Sequence, residues 1–108
     1  MEIKIRNLRS ARPTEPWQVR VDRASVLGNP FRMAHECERD EVCDAYFDYF
    51  HRRIASGDEA FCNELQRLIS IAIRYKKLEL FCWCAPERCH AETIAEFLEE
   101  RLDRLTTV

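Results

Sequence analysis

Residues 78–84 read LELFCWC, and this run decides how the rest of the chain is organised. It has the length of a strand, a single charge at Glu79, and apolar or aromatic residues everywhere else. Such a run predicts a strand buried on both faces, as inner strands of parallel sheets are. Immediately before it, Phe61, Leu65, Leu68, Ile69, Ala72 and Ile73 recur at spacings of three and four up to Lys76 and Lys77, which predicts an amphipathic helix with cations at its negative end. After it, Ile94, Phe97, Leu98, Leu102 and Leu105 form the inward stripe of a last helix, with Pro86 suited to its first turn.

Further upstream, Val42, Cys43, Tyr46, Phe47, Phe50 and Ile54 set out another helical stripe over residues 38–55. Gly57 fits its C-terminal stop and Asp58 the N-cap of the next helix, so the two helices should run roughly antiparallel. Nearer the start, Ile3 and Ile5 alternate with charged residues, as do Trp17, Val19 and Val21 with polar ones, the period of half-buried strands. These two strands are expected to be sheet neighbours joined by the proline-bearing loop 10–16. The turn at Gly28-Asn29-Pro30 combines a residue free to take positive φ, one biased to extended geometry, and one without an amide donor. The expected fold is α/β: a small single domain over residues 1–108, with a short mixed or parallel sheet of about three strands and three helices in the order β-β-α-α-β-α. A helical crossover joins the second and third strands.

Composition narrows the function classes. With 46% apolar residues and only two glycines, the chain can form a core and does not read as disordered. Its net charge of −2 argues against tight non-specific binding to duplex nucleic acid, which needs many phosphate contacts. A basic edge from Arg20, Arg23, Arg32, Arg74, Lys76 or Lys77 would still suit a small anionic ligand, although solvated faces are the simpler account of such charges. No apolar run is long enough to cross a membrane, and residues 1–10 (MEIKIRNLRS) lack the apolar stretch of a secretory leader. The expectation is a cytoplasmic protein with no membrane partner and reduced thiols.

Against that expectation stand six cysteines, an excess for this length. Three of them lie in residues 82–90, CWCAPERCH, at the carboxyl end of the expected central strand, where open α/β sheets place their ligand sites. Three readings stand side by side. Cys82, Cys84, Cys89 and His90 have the ligand types of a zinc site, although not the common finger spacing, and the three thiols would also suit an iron–sulfur cluster. Alternatively the site is catalytic, with Cys89 a nucleophile activated in the first turn of the last helix, and with His90 and Glu92 beside it. In the third reading the cysteines are small hydrophobes and His90 bonds a loop. Trp83 is expected on the opposite sheet face, in the core. His35 and Cys37 read as loop residues, and Cys43 and Cys62 as packing.

Three segments together resemble a known family: residues 19–31 (VRVDRASVLGNPF), residues 39–46 (RDEVCDAY) and residues 82–92 (CWCAPERCHAE). They are similar to the bacterial and phage proteins grouped as Domain of Unknown Function 4326, over roughly residues 17–98. That family carries no assigned activity. The resemblance implies that Asn29, Pro30 and Phe31 belong with Cys82, Cys84, Cys89 and His90 in one constellation, and that Cys37, Cys43 and Cys62 lie outside it. If the second and third strands are parallel neighbours, the loops after them emerge at one sheet edge. Arg23 would sit there as an anion-holding fork and Asn29 as a hydrogen-bonding group. The expected function is a metal- or thiol-dependent enzyme binding a nucleotide-like or other anionic metabolite. A non-enzymatic accessory module with a structural zinc site or plain core packing is the alternative.

Overall fold

The apolar run folds as a strand over Leu78–Cys82, and the sheet is built around it. The structure, a computed structural model, describes residues 3–85 and 87–106. In chain order the elements are β1 (Ile3–Asn7), β2 (Gln18–Arg20), a 3-10 turn (Glu36–Glu38), α1 (Arg39–Ala55), α2 (Glu59–Tyr75), β3 (Leu78–Cys82) and α3 (Ala91–Thr106). The α/β class and the β-β-α-α-β-α order are as the sequence predicts.

Strand order corrects one expectation. β1 and β2 are not neighbours: the order is β1-β3-β2, and both outer strands pair with β3 in parallel. Ile5 and Val19 flank Leu80 on its two sides. The reason lies in burial. β3 is nearly continuous in its apolar character and takes the centre, whereas β1 alternates with charges and β2 has only three residues, which suits edges. The lone charge in β3 is explained by the same arrangement. Glu79 accepts hydrogen bonds from Arg6 on one side and Gln18 on the other, each at 3.0 Å.

Leu78, Leu80 and Cys82 share the face that packs into the core with Phe61, Leu65, Leu68 and Ile69 of α2 and Ile94 and Leu98 of α3. Phe81 points to the other face, where the Arg6 guanidinium lies over its ring at 5.6 Å. α1 contributes Tyr46 and Phe50, both fully buried. Gly57 takes φ +72° after α1, and the Asp58 carboxylate caps α2 by accepting from the Phe61 amide at 2.9 Å. No helix among the described residues is long and apolar enough to cross a membrane.

Two local expectations change. Gly28 does not adopt positive φ; it is required because a Cβ there would fall 2.6 Å from the Asp22 carbonyl oxygen and 2.7 Å from the Arg23 Cα. The last helix begins at Ala91, so Cys89 and His90 precede it rather than fill its first turn, and Pro86 lies outside the described residues.

Candidate functional site

Because β2 and β3 run parallel side by side, the segments that follow them leave the sheet at the same end. Together with the start of α1 they enclose a cavity of about 330 Å³, within the range of small-molecule sites. The segment after β2 supplies Asp22, Arg23, Asn29, Phe31 and Met33. The segment after β3 supplies Trp83, Cys84, Arg88, Cys89 and His90, and α1 supplies Arg39, Val42 and Cys43. Arg23, Asn29, Phe31, Cys84, Cys89 and His90 therefore line one cavity, whereas Pro30 and Cys82, which the resemblance grouped with them, do not.

The walls are fixed by hydrogen bonds from both loops. Arg23 donates to the carbonyls of Asn29 and Phe31 at 3.2 and 3.3 Å, while Asn29 Oδ1 accepts from the Phe31 amide at 2.9 Å and holds the turn. Arg39 is occupied by a forked ion pair with Glu36 at 2.6 and 2.8 Å and also reaches the Arg88 carbonyl. Arg88 in turn pairs with Asp40 and Asp44 of α1. Glu36 and Asp44 are the main causes that raise the Arg39 and Arg88 guanidiniums, respectively, above their ordinary values. No carboxylate among the described residues pairs with Arg23, which leaves it the cation of the cavity with charge to spare.

Trp83 departs from its expected place. β3 ends at Cys82, so Trp83 leaves the strand and stands 49% exposed at the cavity wall. Its indole N–H donates to Asp22 at 2.9 Å, and Asp22 also pairs with Arg20. Arg20 first, and Trp83 after it, hold the Asp22 carboxyl below its usual range despite burial. Trp83 is thus a positioned aromatic wall, which strand periodicity carried past Cys82 did not reveal.

His90 is buried, and its Nε2 contacts the Val21 carbonyl. A carbonyl only accepts, so Nε2 carries the proton and the neutral ring keeps its lone pair on Nδ1. Burial is the main cause that lowers the imidazole below its ordinary value. The ring also packs edge-on against Tyr46 at 5.0 Å, whose hydroxyl donates to the Leu27 carbonyl at 2.7 Å. His90 and Tyr46 together secure the segment that follows β2.

Cys82 and Cys89 are both buried, with their sulfurs 3.2 Å apart. Cys89 donates to Cys82, and its own sulfur accepts from the Ala91 amide at 3.3 Å while Glu92 accepts from the Cys89 amide at 3.1 Å. Glu92 reaches back to the Cys89 amide as the glutamate of a capping box does, while the Cys89 sulfur takes the amide two residues on. The hydrogen bond from Cys89, helped by the amides of Cys84 and Ala85, lowers the Cys82 thiol; the same bond and then burial raise Cys89. Cys84 stands apart, half-buried at the cavity wall.

These positions bear on the metal reading. Two sulfurs on one tetrahedral zinc would stand about 3.8 Å apart, given zinc–sulfur bonds of about 2.3 Å. The observed separation is shorter, and with Nε2–H on the Val21 carbonyl His90 has only Nδ1 left as a ligand atom. Among the described residues no group of three or more His, Cys, Asp or Glu is arranged to hold a metal ion. Of the other thiols, Cys37 is exposed and Cys62 partly so, whereas Cys43 is buried and reaches the cavity, a position its helical stripe did not distinguish from plain core. Arg39 was also missed, since helix periodicity does not say which loop a helix end will meet.

Residues 4–100 match the family model described as Domain of unknown function (DUF4326). The chain belongs to that family. The match runs from β1 into α3, so the DUF4326 unit takes in all three strands and both cavity-forming loops, wider than the segment 17–98 that carries the sequence resemblance. No curated protein and no solved structure matches this DUF4326 chain.

Proposed function

We propose that this chain binds a small anionic ligand with a planar, nucleotide-like group in the cavity at the carboxyl ends of β2 and β3. The observation that carries the reading is an arginine without a carboxylate partner among the described residues, Arg23, facing the same cavity as the aromatic walls Trp83 and Phe31. A guanidinium supplies a planar fork for phosphate or carboxylate, and exposed rings supply stacking surfaces for a base. Asn29 and Asp22 add polar groups that would orient the ligand. Cys84 is the thiol best placed for chemistry on a bound ligand, because it faces the cavity and is only half-buried.

Toward this ligand, the burial of Cys82, Cys89 and His90 favours an architectural role for them, as the accessory-module alternative holds for the whole cluster. In this reading they hold the walls, and the ligand is met by Arg23, Trp83 and Cys84.

Titration with a panel of nucleoside monophosphates, followed by calorimetry and by tryptophan fluorescence, tests the proposal. A saturable one-site response is expected, weakened at least tenfold in Arg23→Gln and altered in fluorescence in Trp83→Phe. Inorganic phosphate alone should compete weakly. Absence of binding across the panel, or binding indifferent to both substitutions, would overturn it.

A further inference from the structure

The sulfurs of Cys82 and Cys89 touch at 3.2 Å in a chain whose other four thiols make no such pair among the described residues. Several features of this contact are unlike ordinary core packing. Cys82 ends β3 and Cys89 stands two residues before α3, so the pair spans the loop that carries Trp83, Cys84 and Arg88. Cys89 also lies between two cavities, lining both the one described above and a second bounded by Asp44, Phe47, Asp48, Glu92, Thr93 and Glu96. Two cavities therefore meet at Cys89, whereas Cys82 is fully buried and lines neither.

We propose that Cys82 and Cys89 form a reversible dithiol–disulfide site whose oxidant is a small hydroperoxide. Cys89 is the sulfur that meets the oxidant. As its sulfur attacks one peroxide oxygen, the S–O bond forms, the O–O bond breaks, and the departing oxygen, which keeps its own hydrogen, takes the thiol proton and leaves as water. The resulting sulfenic acid takes the place of the thiol. Cys82, already in contact, then attacks that sulfur. The S–S bond forms, the S–O bond breaks, and the hydroxyl leaves as a second water with the Cys82 proton, so that two thiols and one hydrogen peroxide become one disulfide and two waters. Each cysteine gives up one electron, and a dithiol reductant reverses the change. The Ala91 amide that donates to Cys89 Sγ stabilises negative charge on that sulfur while it attacks.

The site is independent of the ligand proposed above and can be tested without it. Reduced protein is treated with one equivalent of hydrogen peroxide, alkylated, and mapped by mass spectrometry. The expected product is lighter than the reduced chain by about 2 Da, with Cys82 joined to Cys89 and Cys37, Cys43, Cys62 and Cys84 still able to take the alkylating agent under denaturing conditions. Cys82→Ser should stop at the sulfenic acid, trapped at Cys89 by a dimedone reagent. Cys84→Ser should leave the bond unchanged. The proposal is overturned if Cys82 and Cys89 remain free thiols, if the bond formed involves Cys84, or if Cys89 in the native sequence runs on to sulfinic acid. Mapping of the unaltered chain decides between these outcomes even if a variant does not fold.

Discussion

His90 illustrates how one side chain can join fold to site. Its Nε2–H is committed to the end of β2, and its ring lies against Tyr46 in a place where a charged imidazolium is poorly solvated. The folded chain therefore takes up a proton at His90 less readily than the unfolded chain does. Where the unfolded state binds more protons, stability rises with pH, so this contribution is complete above the ordinary histidine value of about 6.5 and is lost as pH falls below it. Denaturant midpoints should decrease between about pH 7.5 and pH 5.5. In His90→Gln, whose side-chain amide can still donate to Val21 but does not titrate, that slope should flatten; a slope equal to that of the unaltered chain would assign the effect elsewhere. At this scale the sequence was partly legible. That His90 bonds a loop was one of three open readings, and the others remained because spacing alone cannot say which atom a ring nitrogen will meet. Trp83 was misread for a related reason: alternation predicts a face only while the strand continues, and here the indole finds Asp22 instead.

Between elements, the important joints are those that bind α1 to the loops. Tyr46, from the middle of α1, donates to the Leu27 carbonyl inside the protein, with both residues fully buried. Tyr46→Phe keeps the ring and its packing against Phe50 and His90 but leaves that carbonyl without its partner. A loss of about 1–3 kcal/mol is expected, measured by equilibrium denaturation, with faster amide exchange concentrated in residues 24–30. A neutral substitution would mean that the hydroxyl does not hold the loop. The contrast with Arg88 is instructive: its pairs with Asp40 and Asp44 are solvent-facing and should add little to global stability, although they aim the loop after β3 at α1. The stripe over residues 38–55 made Tyr46 legible as core and α1 as a helix. It could not give the helix's rotation against the two loops, which is set by packing between distant segments, so Arg39 and Cys43 entered the cavity unannounced.

On the scale of the molecule, the parallel pairing of β2 and β3 is what creates a site at all. The apolar run 78–84 and the helical crossover are compatible with a mixed or a parallel sheet; the pairing is parallel, and it brings the two loops to one sheet end. Strand order was less legible, because parallel partners are distant in sequence and β1 and β2 have similar patterns; burial, which puts β3 in the middle, decided it. The resulting stability should be uneven. Amides of β3 are bonded within the sheet and surrounded by buried side chains, so they should exchange only by global unfolding, while residues 31–37, all exposed and held by local bonds such as those of the Phe31, Ala34 and His35 amides to nearby side chains, should exchange much faster. A ligand that bridges the loops adds its binding free energy to the folded state and restricts local opening where it touches. Hydrogen exchange with a saturating nucleoside monophosphate should therefore slow amides in residues 22–33 and 83–90 by tenfold or more. The outer turns of α2, which supply nothing to the cavity, should change only by the global increment. Protection spread evenly over the chain would indicate stabilisation without contact at the loops, and protection centred on α2 would place the ligand elsewhere.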